Sequence, residues 1–186
     1  MVTHGAGSNC DSPLLRALAE EFCAGGYCVL RCDLPYRQLR PTGPPPAGSA
    51  ERDREGLRRA VQAMRAMAAG SLILAGHSYG GRQSSILASE EEGLIDLLLL
   101  LAYPLHPPKK REERRTAHFP NLSTPALFVH GARDPFGSIE EMNEAVRMIP
   151  APHQLFEVPK TGHELRADLA PAILRETQCF ATGSTK

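Results

Sequence analysis

LILAGHSYGGRQSS, residues 72–85, sets a serine between glycines directly after a short apolar run and before a segment of helical composition. Gly76-His77-Ser78-Tyr79-Gly80 fits the pattern G-x-S-x-G, in which a serine sits on a sharp turn from a strand into a helix. The spacing has a steric cause. A strained turn leaves no room for side chains two residues to either side of the serine. The helix that follows directs its free N-terminal amides and the positive end of its dipole at negative charge developing on a substrate. Standing alone the pattern is weak, so the rest of the chain has to supply partners in a compatible order.

Outward from this stretch, apolar clusters alternate between strand-like and helix-like spacing. MVTH reads as the end of a strand, and SPLLRALAEEFCAGG as a helix with Ser12-Pro13 at its start and Gly25-Gly26 as its stop. YCVLRC reads as a strand, RPTGPPPAGSA as a proline-rich loop and ERDREGLRRAVQAMRAMAAG as a helix. SLILA is a strand feeding the helix GGRQSSILASE, and LIDLLLLLAY is a strand apolar on both faces. PALFVHG and HQLFEV complete the strands, with the helix SIEEMNEAVRMI between them and a mainly helical tail in which Pro171 marks a kink or break. Strand-helix alternation without return hairpins predicts a doubly wound, mainly parallel α/β sheet formed as a single domain over residues 1–186.

Two further signals fall at the ends of predicted strands. Asp134, in LFVHGARDPFG, follows a buried-type strand where a carboxylate can orient a histidine, although Asp-Pro also commonly opens plain turns. His163, in LFEVPKTGHELR, follows the last strand and opens the last helix. The order Ser78, Asp134, His163 is that of α/β-hydrolase triads and differs from the chymotrypsin and subtilisin orders. The turn THGAG, residues 3–7, offers the Ala6 backbone N–H as a partner for the Tyr79 N–H in an oxyanion hole. Its rival reading as a dinucleotide fingerprint fails, because Cys10 stands where G-x-G-x-x-G needs its last glycine.

Composition narrows the classes. Lys plus Arg and Asp plus Glu are 21 each, so no overall field draws the chain to nucleic acid or anionic membrane. No apolar run is long enough to span a bilayer and no secretory signal opens the chain. Five cysteines without a CxxC pair predict reduced thiols and a cytoplasmic protein. The seven histidines lack HExxH spacing or any cysteine pairing, so no metal is expected. KKREERR, residues 109–115, reads as a solvated charge run. Tyr103 and His106 are expected to border the site, with His106 equally readable as a loop residue braced by prolines. Arg82, one turn into the helix after the serine, either binds a substrate carboxylate or, more plainly, packs or forms a salt bridge.

THGAG…DSP, DLPYR with its proline-rich sequel, GHSYGGR, YPLHPP, LFVHGARDPFG and TGH together resemble the α/β-hydrolases. More narrowly they resemble small, cap-less hydrolases similar to the testis-expressed/KANL-type hydrolase-like family and related to dienelactone hydrolases. The resemblance implies Ser78 as nucleophile, His163 as base and Asp134 as acid, acting on a small-molecule ester, thioester or related acyl bond without a cofactor. A peptidase or amidase stays open, as does a non-catalytic interaction domain that keeps the fold, since one eukaryotic relative is a chromatin-complex subunit. Dienelactone hydrolases carry cysteine where this chain has Ser78, so their substrate does not carry over. Such hydrolases have further strands before the oxyanion strand. An abbreviated sheet is therefore expected, with the YCVLRC edge open to homodimer pairing.

Overall fold

In the computed structural model, which describes residues 1–183, six strands form one parallel sheet in the order β2-β1-β3-β4-β5-β6. Residues 184–186, the last of the predicted domain, lie outside the described residues. The strands are β1 Val2–Thr3, β2 Arg31–Cys32, β3 Ile73–His77, β4 Leu97–Leu101, β5 Ala126–Gly131 and β6 His153–Val158. The chain runs from β1 outward to β2, then returns past β1 to β3 and continues the other way. The connection therefore reverses between β1 and β3. In an open parallel sheet the carboxyl ends of such strands border a natural crevice.

The central strands form because their side chains can be covered on both faces. Leu97–Leu101 are all buried, and each leucine sheltered from water contributes roughly 1.5–3 kcal/mol. Leu98 and Leu100 join one core with Leu57, Val61, Leu87 and Met142. These come from the helices α3 Ser49–Met67, α4 Tyr79–Glu90 and α5 Ile139–Val146. Leu99 and Leu101 face the other way, into a core with Leu15, Leu18, Phe22, Ile173 and Leu174. That core belongs to α1 Pro13–Ala24 and α6 Ala170–Ala181.

Three local readings change. YCVLRC is a strand only at Arg31–Cys32, because its partner β1 offers just Val2 and Thr3 for pairing. The sheet edge there is correspondingly short, which blunts it as a template for another chain. Within DLPYR begins a short helix, α2 Pro35–Leu39, too brief to show a period in the sequence. His163 lies on the loop after β6 rather than in a helix; a 3-10 turn at Ala167–Leu169 precedes α6, whose first turn holds Pro171. The segment 102–125 between β4 and β5 contains only a 3-10 turn at Phe119–Asn121, so no separate cap domain covers the sheet. Among the described residues no helix is long and apolar enough to cross a membrane.

Candidate functional site

Ser78 stands between β3 and α4 with φ of 49° and ψ of −114°, a left-handed conformation rarely held by a residue with a side chain. The glycines around it are sterically required. A Cβ on Gly80 would lie 2.5 Å from the His4 carbonyl oxygen, and one on Gly76 would collide with the Gly81 amide nitrogen. The turn is held further by the Ser78 N–H, which donates to the Leu101 carbonyl at 2.8 Å.

The structure brings Asp134 and His163 to this serine. The Asp134 carboxylate can only accept, so the His163 Nδ1–H donates to its Oδ2, at 2.8 Å. That leaves His163 Nε2 to accept from the Ser78 hydroxyl, also at 2.8 Å. The second Asp134 oxygen accepts the Phe136 N–H at 2.8 Å, and its side chain is fully buried. The Phe136 ring lies against the imidazole with centroids 4.2 Å apart. The three side chains form a continuous hydrogen-bonded line along which a proton can pass from hydroxyl to ring. His77 also neighbours His163, with ring centroids 5.7 Å apart and its Nε2 3.3 Å from the His163 carbonyl oxygen. Burial, and then the neighbouring imidazole, pushes His77 below the usual histidine range, so it is neutral near pH 7.

A cleft of about 580 Å³ opens over Ser78 and His163, lined also by the turn Gly5–Ser8, Tyr79, Arg82, Pro104, Arg115 and Phe136. Ala6 and Tyr79 both line this cleft. Among the described residues neither of their N–H groups has an acceptor, while the Ala6 carbonyl is fully engaged. Among the described residues no group of three or more His, Cys, Asp or Glu side chains is placed to hold a metal ion.

Two sequence-predicted neighbours lie elsewhere. Tyr103 is completely buried, its ring against Phe119 and Phe128. His106 is also buried, with Nδ1 2.8 Å from the Pro107 carbonyl oxygen and Nε2 3.4 Å from Glu141 Oε2. Glu141 belongs to the capping box of α5, where it accepts the Ser138 N–H, so His106 braces that helix start instead of lining the cleft. Arg82 does line the cleft.

Sequence reasoning missed the residues that hold the Gly5–Ser8 turn. The Tyr36 hydroxyl lies 3.1 Å from the Gly5 and 2.9 Å from the Ala6 carbonyl oxygens, both within donating distance. Arg37 donates through Nε to the Ser8 carbonyl at 2.7 Å and through Nη2 to that of Ala6 at 3.1 Å. Buried Asp53 accepts from the Tyr36 N–H and from the Tyr79 hydroxyl. One signal was available: Asp53 shares the helical register of Leu57, Val61 and Met64, the buried face of α3.

The fold recurs in solved structures. TT1662 from Thermus thermophilus superposes with a TM-score of 0.74 at 23% identity, over 96% of this chain and 87% of that one. Est1E from Butyrivibrio proteoclasticus, solved with bound ferulic acid, gives a TM-score of 0.79 at 16% identity, over 97% and 88%. A dienelactone hydrolase from Anabaena variabilis gives 0.75 at 20% identity, over 97% and 85%. At such identities the likeness shows the shared architecture. The sequence itself carries the family: residues 1–174 match the model described as alpha/beta hydrolase domain, and the chain belongs to that family.

Proposed function

We propose that this protein is a serine hydrolase that cleaves an ester, thioester or related acyl bond of a small molecule, through an acyl-enzyme on Ser78. The observation that carries the reading is the hydrogen-bonded line from Ser78 through His163 to Asp134 at the floor of the cleft. Ser78 Oγ attacks the acyl carbon while its proton passes to His163 Nε2. Asp134 holds the imidazole in the tautomer that accepts this proton and stabilises the imidazolium. The carbonyl oxygen gains charge between the Ala6 and Tyr79 N–H groups, each donor lowering the barrier by roughly 3–4 kcal/mol. Collapse of the tetrahedral intermediate breaks the bond to the leaving group, which departs with the proton from His163. Water then attacks the acyl-enzyme, again losing its proton to His163; the acyl–Oγ bond breaks as His163 returns that proton to Ser78 Oγ, and the acid departs. The reading takes the chain as one domain acting in the cytoplasm, in keeping with its five free cysteines.

A fluorophosphonate probe tests it. Wild-type protein is expected to label and Ser78→Ala is not, and Ser78→Ala or His163→Ala is expected to lower kcat by about 10⁴-fold. Folded wild-type protein that fails to label would overturn the hydrolase reading and leave a non-catalytic domain with a hydrolase fold.

A further inference from the structure

We propose that Arg82 and Arg115 form an anion-binding subsite in the cleft beside Ser78, so that the molecule cleaved there carries a carboxylate or phosphate group close to its scissile acyl bond. The substrate half of this inference rests on the proposed hydrolase function; the binding half stands apart from it.

Several arginines elsewhere have carboxylate partners. Arg54 meets Glu90, Arg65 meets Asp96, Arg114 meets Glu144 and Arg166 meets Asp168. Among the described residues neither Arg82 nor Arg115 forms an ion pair, although both line the cleft. Among the described residues Arg82 Nε is buried without a hydrogen-bond partner, and the Arg115 side chain has only the Pro104 carbonyl, 3.3 Å from Nη1. A guanidinium sheltered from water with N–H groups unmatched is poised for an acceptor that the protein itself does not supply.

The surroundings reinforce this. Glu164 is the one carboxylate among the cleft-lining residues; it is exposed and adjoins His163. His118, whose Nε2 lies 2.8 Å from Ser85 Oγ, is pushed down to about 4 by burial and then by Arg82, so it is neutral near pH 7. Arg115 is also pushed down, by burial first and then by Arg82. Two cations thus share one partly sheltered wall, an arrangement that an entering anion relieves. Paired guanidinium forks match the oxygens of a carboxylate or phosphate.

Both groups are rigidly based. Arg82 lies one turn along α4, its N–H bonded to the Ser78 carbonyl at 2.9 Å, so its side chain starts about 5–6 Å along the helix axis from the nucleophile. The Arg115 N–H donates to the Leu105 carbonyl at 2.8 Å, and its own carbonyl accepts from the buried Tyr103 hydroxyl at 2.6 Å. Tyr103 therefore acts from the core as a positioning residue for the subsite.

The test uses the full chain carrying Ser78→Ala, titrated calorimetrically with benzoate, phenyl phosphate and neutral benzamide. Saturable binding of either anion is expected, with none for benzamide, and binding at least tenfold weaker after Arg82→Met or Arg115→Met. The tighter of the two anions identifies the group as carboxylate or phosphate. Absence of saturable anion binding, or binding unchanged by both substitutions, overturns the subsite. Should Arg82→Met not fold, as judged by circular dichroism, Arg82→Lys keeps the charge and loses the fork, and the same tenfold weakening is expected. With Ser78 restored, the kcat/KM ratio of 4-acetoxybenzoate to 4-acetoxybenzamide is expected to fall at least tenfold in the arginine variants; an unchanged ratio overturns the substrate half. Anion binding without fluorophosphonate labelling would support the subsite while removing the hydrolase function, so the two failures are separable.

Discussion

The Tyr79 hydroxyl donates a 2.8 Å hydrogen bond to Asp53 Oδ2, tying the residue after Ser78 to the buried face of α3. The other oxygen of Asp53 accepts the Tyr36 N–H at 2.9 Å, and the Tyr36 hydroxyl reaches the Gly5–Ala6 carbonyls. One carboxylate therefore anchors both backbone segments proposed to bind the oxyanion. Burial, and next the Asp53 carboxylate, pushes the Tyr79 phenol well above its usual range, so it stays a donor at any physiological pH.

Asp53→Ala strands two donors and is expected to cost about 3 kcal/mol, since each buried group left unpaired costs roughly 1–3 kcal/mol. A fall in Tm of about 6–12 °C follows for a chain of this size. Ester hydrolysis should lose kcat more than KM, because the oxyanion donors act in the transition state. Tyr79→Phe should cost only about 1 kcal/mol. Equal Tm values for Asp53→Ala and wild type would show that the anchor contributes nothing.

Gly80→Ala places a methyl group against the His4 carbonyl, where backbone rather than a mobile side chain must give way. A loss of about 2–3 kcal/mol is expected in urea denaturation, with a matching loss of fluorophosphonate labelling. A variant as stable as wild type would mean that β1 and α4 approach less closely than described.

Asp134→Asn keeps the shape and can still accept the Phe136 N–H, but its amide favours the wrong imidazole tautomer. We expect kcat to fall about 10⁴-fold with Tm nearly retained. Asp134→Ala should lose stability as well, because the Phe136 N–H is then unpaired. Ester kinetics and thermal melts on the two variants separate these effects.

His118 has a folded pKa of about 4, below its unfolded value near 6.5. Unfolded chains then bind more protons between those values, so stability present above pH 6.5 is lost as pH falls through this window toward 4. His4, His77 and His130 are displaced the same way, each chiefly by burial. Urea midpoints measured from pH 7 to 4 should decline, and His118→Gln should flatten the slope. A slope unchanged by that substitution would remove His118 as a contributor.

What the sequence disclosed depended on period and punctuation. Leu97–Leu101 and the turn around Ser78 were legible because apolar runs and glycines report local constraints directly. Asp134 and His163 followed from their places after β5 and β6. Tyr103 and His106 misled because YPLHPP has no period to say which side chains turn inward; the first anchors Arg115 from below and the second caps onto α5. Asp53 was obscured for the opposite reason, being a charged residue in a charged helix whose partners, Tyr36 and Tyr79, are distant in sequence.

The segment 102–125 carries Pro104 and Arg115 to the cleft without contributing an α-helix or a strand of the sheet. Ser78, by contrast, directly follows β3, and Asp134 and His163 lie on the short loops after β5 and β6. On the proposed reading, Arg115 and Pro104 thus lie on a different part of the chain from the bond-breaking residues, whereas Arg82 shares α4 with the turn that holds Ser78. If that reading holds, residues around 104–118 are where a new compound can be admitted while the proposed reaction is inherited unchanged.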